Sequence, residues 1–165
     1  MAVTTQNSAE YEKLYGTTLD EVYPTEYHGK TRIAFFTCTQ SGAGDAGSSV
    51  ALCKLPPGRV RLLLSDSQAY VNWTTASATL DIGWDAYVAL SDGAAVAADD
   101  DGLVAAMDVD AVGIRQFSTS APAALLLTGY TYLFESREGV VIRATSNTAI
   151  VDGDDLVGYL TYVTD

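Results

Sequence analysis

The sequence predicts an all-β protein: an antiparallel two-sheet sandwich, jelly-roll-like, carried behind an extended N-terminal arm. Three observations predict it. From residue 30 onward, short runs rich in Val, Ile, Thr, Tyr and Phe are separated by Gly, Pro, Asp and Ser. Several runs alternate with a period of two, as in Arg59-Val60-Arg61-Leu62, which gives one wet face and one dry face. No run is followed by a long amphipathic helix, so a parallel α/β sheet is disfavoured. The 165 residues are 48% apolar, enough for one domain with a real core and too much for general disorder.

Residues 1–29 form the arm. Tyr11, Tyr15, Tyr23 and Tyr27 fall among polar residues with few aliphatics, too little to fold alone. Two helical turns fit after Ser8 as N-cap, with Gly16 as the stop and Tyr11, Leu14 and Tyr15 on one face. Tyrosine suits a half-wet contact, its ring apolar and its hydroxyl free to bond. Tyr11, Leu14, Tyr15, Tyr23 and Tyr27 are therefore the candidate contact residues, facing either a neighbouring molecule or the protein's own domain.

Residues 30–165 form the sandwich. Strands are expected at 31–40, 49–55, 59–65, 68–74 and 78–88, with Gly83 marking a bulge or bend in the last. The segment 42–47 is a flexible loop, and Pro56-Pro57-Gly58 forces a sharp connection. Asp92-Gly93 is a turn. Asp99-Asp100-Asp101-Gly102 starts a short helix over 103–107, because acids favour a helix N-terminus. Further strands follow at 112–118, 123–128, 130–135, 140–145 and 156–164, with turns at 137–139 and 152–155. About eight to ten strands result.

Charge and rare residues narrow the function. The net charge is −12, and residues 81–110 hold eight acids with no Lys or Arg. Such a surface repels phosphate, so nucleic acid and anionic membranes are disfavoured partners. No apolar run reaches the ~20 residues that span a bilayer. The start has neither a basic region nor an apolar one, so no secretory signal is expected and the protein matures where it is made. The acidic face is either a solvated surface or one that meets a basic partner or cations. Asp99-Asp100-Asp101, Asp108-x-Asp110 and Asp152-x-Asp154-Asp155 are rich in the oxygens calcium takes. None follows a calcium-loop pattern, and no metal is assigned. His28 is the only imidazole, and neither GxSxG nor SxxK occurs. No catalytic residue is assigned. Gly42-x-Gly44-x-x-Gly47 matches a dinucleotide fingerprint but leads into a strand instead of a helix, so the match fails. Cys38 and Cys53 read as buried thiols, with a disulfide between neighbouring strands as the alternative. Trp73, Trp84 and Tyr87 make either a sugar-binding platform or part of the core.

The stretches LPPGRVRLLLS, ATLDIGWDAYVALSDGAAVAADDDGLVAAMDVDAVG and LVGYLTYV together resemble the head decoration, or cement, proteins of tailed bacteriophages. The resemblance covers roughly residues 30–165. It implies a virion structural protein that sits outside the capsid as a homotrimer, bridges major capsid protein subunits and reinforces the shell. It implies no enzyme activity and no cofactor, with synthesis in the host cytoplasm. The alternative is a tail- or fibre-associated β-sandwich module that binds a host receptor or glycan.

Overall fold

Alternation of apolar and polar residues drives the chain back and forth between two sheets. The computed structural model describes residues 29–164. Tyr11, Leu14, Tyr15, Tyr23, Tyr27, His28 and the helical turns read after Ser8 lie outside the described residues. The strands in chain order are β1 (Lys30–Thr39), β2 (Ser49–Leu55), β3 (Gly58–Val71), β4 (Thr79–Trp84), β5 (Tyr87–Val88), β6 (Ala95–Val96), β7 (Asp99–Asp108), β8 (Gly113–Gln116), β9 (Thr131–Ser136), β10 (Val140–Ser146) and β11 (Asp155–Thr164). The first sheet runs β1-β11-β3, with β8 and β9 sharing the far edge of β3. The second sheet runs β2-β10-β4-β7, and β5-β6 is a small hairpin inserted between β4 and β7. The pairings within both sheets are antiparallel. The two-sheet antiparallel sandwich is the class that the sequence predicted; the strand order, with the first strand beside the last, comes from the structure.

The core lies between the sheets. β3 gives it Val60, Leu62 and Leu64, then Ser67, Ala69 and Val71, all at most 1% exposed. Two consecutive exposed residues, Ser65 and Asp66, separate the two sets. This one-residue change of phase is a bulge, and it keeps both halves of the strand apolar-side-in. Ser67 holds it: its hydroxyl donates to Leu63 O at 2.6 Å and accepts from Thr161 N–H at 3.0 Å. The sequence reading divides β3 into two strands because the alternation breaks there. The structure makes it one.

Other expectations need correction. Residues 103–107 belong to strand β7, not to a helix. Leu103, Val104 and Met107 are buried, so packing against β4 outweighs what the preceding acids offer a helix. Residues 123–128 are a 3₁₀ turn, not a strand. It follows Pro122 and ends at Gly129, whose φ of 66° suits glycine. Residues 78–88 divide into β4 and β5, and 112–118 into β8 and a second 3₁₀ turn, Phe117–Ser120. Both cysteines are free, as read, but half-buried where the sequence reading had them buried. Burial pushes the Cys53 thiol up to about 11.

Candidate interaction face

Each sheet carries an ion pair on its outside, Arg59–Glu135 on the first and Arg143–Asp85 on the second. On the outside of the second sheet, Arg143 of β10 grips Asp85 with two hydrogen bonds, Nε to Oδ1 at 2.6 Å and Nη2 to Oδ2 at 2.8 Å. Nearby, Asp81 Oδ1 accepts from Ala106 N–H at 2.6 Å. The Arg143 hydrogen bonds hold the Asp85 carboxyl below the usual carboxylate value. A carboxyl lowered by folding adds stability above its unfolded value, near 3.8, and loses it as pH falls through the lower folded value. Asp85→Asn is therefore expected to cost less than about 1 kcal/mol at neutral pH, because the pair is partly solvated. Urea titrations should show that difference closing as the pH is taken below the Asp85 value.

Three rows on the outside of the first sheet are uncharged. Register places Thr37, Val157, Tyr70 and Ile114 across four strands in one row. The next row is Phe35, Tyr159, Gln68 and Gln116. Beyond the bulge lies Ile33, Thr161, Leu63 and Thr131. No residue of these three rows is charged, but exposed Asp66 lies between the second and third at the bulge, and the adjoining rows carry Arg61, the Arg59–Glu135 ion pair and Asp155. The apolar members are wet: Phe35 is 76% exposed, Ile114 62%, Ile33 52% and Tyr70 41%. Phe35 and Tyr159 meet edge to face at 5.9 Å. Their backbones have no choice of direction, because Phe36, Leu156 and Leu160 fill the core from the alternate positions. Exposed apolar side chains gathered in this way mark an interaction surface. Sequence reading missed this face. Its signal was the pattern of Ile33 and Phe35 with Phe36 in β1, apolar on both sides of one strand.

The other candidate residues are placed as follows. Trp73 and Trp84 are 4% and 6% exposed, and their indole N–H groups donate to Asp155 O and Ala97 O. Tyr87 is half-buried, with its ring centroid 6.0 Å from that of Phe134. The three form no exposed platform. The acidic loops use their carboxylates on turn amides. Asp152 accepts from Gly42 N–H at 2.7 Å, Asp154 from Val151 N–H at 2.8 Å, and Asp108 from Asp110 N–H at 3.0 Å. Asp155 accepts from Thr39 and Asn72. Among the described residues, no three His, Cys, Asp or Glu side chains are grouped to hold a metal ion. Asp99, Asp100 and Asp101 lie within β7 and make no loop. A narrow cavity of about 40 Å³ between the sheets, lined by Cys38, Trp73 and Leu80 among others, has room for little more than water.

No family model and no curated protein matches the chain. Its fold is similar to that of a chain in the capsid asymmetric unit of cyanophage Pam1, with a TM-score of 0.54 at 15% identity. The match covers 99% of this chain and 100% of that one. Weaker likenesses are found to a chain of infectious bursal disease virus, Gt strain, and to one of the acid-stable capsid of Helicobacter pylori bacteriophage KHP30. The first has a TM-score of 0.46 at 8% identity, covering 81% of this chain and about a third, 32%, of that one. The second has a TM-score of 0.36 at 10% identity, covering 82% and 94%. The Pam1 likeness is one of fold, and it extends over the whole of both chains.

Proposed function

We propose that this is a virion structural protein, a homotrimer on the outside of a phage capsid that bridges major capsid protein subunits and reinforces the shell. The observation that carries the reading is the end-to-end fold likeness to a phage capsid chain of matching length. The segments that resemble decoration proteins support it, as does an outer sheet face of protein-contacting character. Attachment needs no catalysis and no cofactor. Weak contacts repeated on a symmetric lattice add up through avidity. In this reading the arm, through Tyr11, Leu14, Tyr15, Tyr23 and Tyr27, is the segment that reaches the capsid.

The test is binding of purified protein to expanded capsids of the phage that encodes it. Cosedimentation should saturate at a fixed ratio, and labelled protein should decorate the icosahedral faces. Label at the tail tip instead would favour the receptor-binding module. Deleting residues 1–29 should leave the thermal transition nearly unmoved and weaken capsid binding sharply. Tyr11→Ala with Tyr15→Ala should do part of the same, at about 1–3 kcal/mol per buried aromatic anchor. If deletion unfolds the protein and binding is indifferent to Tyr11 and Tyr15, the arm belongs to the protein's own core.

A further inference from the structure

We infer that the cleft between strand β7, strand β9 and the 3₁₀ turn 123–128 is a socket for the lysine or arginine side chain of a partner protein. The chemistry of the socket stands by itself; naming a capsid subunit as the partner rests on the proposed function.

Shape and charge choose this occupant. The cleft has a volume of about 410 Å³ and is open to solvent. Trp84 and Tyr132 give it aromatic walls, Leu125 an aliphatic one, and Asp99 and Asp101 line it as well. These two carboxylates form no hydrogen bond or ion pair with any described residue. By contrast, Asp81, Asp108, Asp152 and Asp154 accept from backbone amides. Among the described residues no Lys or Arg lines the cleft. Arg143, held charged by Asp85 and then by Asp100, serves the outside of the second sheet. The backbone brings charge and ring together. A Cβ on Gly102 would lie 2.4 Å from two ring carbons of Trp84 and 2.8 Å from Asp99 Oδ2, so only glycine lets β7 carry that carboxylate so close to the indole. Burial, then Tyr87 and Asp99, push the Tyr132 phenol up, so it stays neutral and the cleft keeps its negative charge. Carboxylates beside aromatic rings suit a cation on an apolar stem: the ammonium or guanidinium meets the carboxylates, and the methylenes lie on the rings. Calcium takes six to eight oxygens, and no three His, Cys, Asp or Glu side chains are grouped to supply them among the described residues. A sugar needs an open ring face, and Trp84 is 6% exposed against Tyr132 and Gly102. The chain has 9 Lys and Arg against 21 Asp and Glu, so the cation is expected from another protein.

Nuclear magnetic resonance of the full-length protein, titrated with n-butylammonium and n-butylguanidinium chloride at constant ionic strength, tests the socket. Both should shift the Trp84 indole and Gly102 amide signals saturably, with dissociation constants in the millimolar range expected of ligands this small. Asp99→Asn with Asp101→Asn should weaken that binding about tenfold while far-UV circular dichroism stays unchanged. Should that pair disturb folding, Ala124→Lys is the second variant. Ala124 is exposed on the 3₁₀ turn and lines the cleft, so a lysine there should compete with the probe. Shifts that never saturate, that sodium or n-butanol reproduces, or that survive both variants overturn the inference. Stronger binding of methyl glucoside or calcium at the same signals overturns it too. On expanded capsids, the variants that lose the probe should bind about tenfold more weakly. Capsid binding that they leave unchanged overturns the capsid subunit as the partner. Wild-type protein that binds no capsid would instead sink the proposed function, and the probe titration would still decide the socket.

Discussion

Trp84→Ala is expected to lower the unfolding free energy by about 3–5 kcal/mol, the cost of removing a large aromatic side chain from a packed interior. Trp84 is 6% exposed and sits at the centre of an aromatic cluster that joins the sheets. Its ring centroid lies 4.7 Å from that of Tyr132 and 5.4 Å from that of Phe134, both on β9 of the first sheet, while Trp84 ends β4 of the second. Its indole N–H donates to Ala97 O at 3.2 Å, fixing the return of the chain into β7. Alanine removes the ring contacts and that hydrogen bond together. Thermal unfolding should fall by roughly 10 °C, at 2–4 °C per kcal/mol for a domain of this size. Trp84→Phe should recover part of the loss, because it refills volume but not the hydrogen bond. A shift of only a degree or two would mean that the cluster does not hold the sheets together.

Gly83→Ala should cost about 3 kcal/mol, at the upper end for overpacking a filled site. A Cβ on Gly83 would run into the backbone carbonyl oxygen of Asp99, and would lie 2.6 Å from Asp100 C and 2.7 Å from its oxygen. Backbone atoms cannot rotate out of the way, so the start of β7 must peel from β4. The β4–β7 register shifts between Ile82 and Trp84, beside this glycine. The expected signature is selective: amide exchange should rise over the first residues of β7 and over β4 before the first sheet is affected. Uniform loss of protection, or none, would contradict the local origin.

The bend read at Gly83 was legible because glycine inside an apolar β run has few other reasons to be there. The fold class was legible for a similar reason. Period-two alternation ties one side of a strand to a dry core, and that tie is local. Segments governed by competing local preferences were misread. Asp99-Asp100-Asp101 favours a helix start, yet Leu103, Val104 and Met107 gain more by closing the edge of the second sheet. Residues 123–128 form an apolar run too short to distinguish strand from helix by period, and between Pro122 and Gly129 they make a 3₁₀ turn. The fate of the aromatics was open in the sequence, since a tryptophan on a strand serves a core or a binding surface equally well until its neighbours are known.

By itself the sequence determined the β class, the position of most turns and the acidic character of the protein. These depend on residue type and on neighbours a few positions away. Only the tertiary structure decided which strands share a sheet, that a bulge at Ser65 and Asp66 fuses two runs into β3, and that Phe35, Tyr159, Val157, Tyr70 and Ile114 form one face. Those residues lie as far apart as positions 35 and 159 and meet through the pairing of β1 with β11, of β11 with β3 and of β3 with β8. A surface is a property of register across strands, and no local pattern along the chain encodes that register.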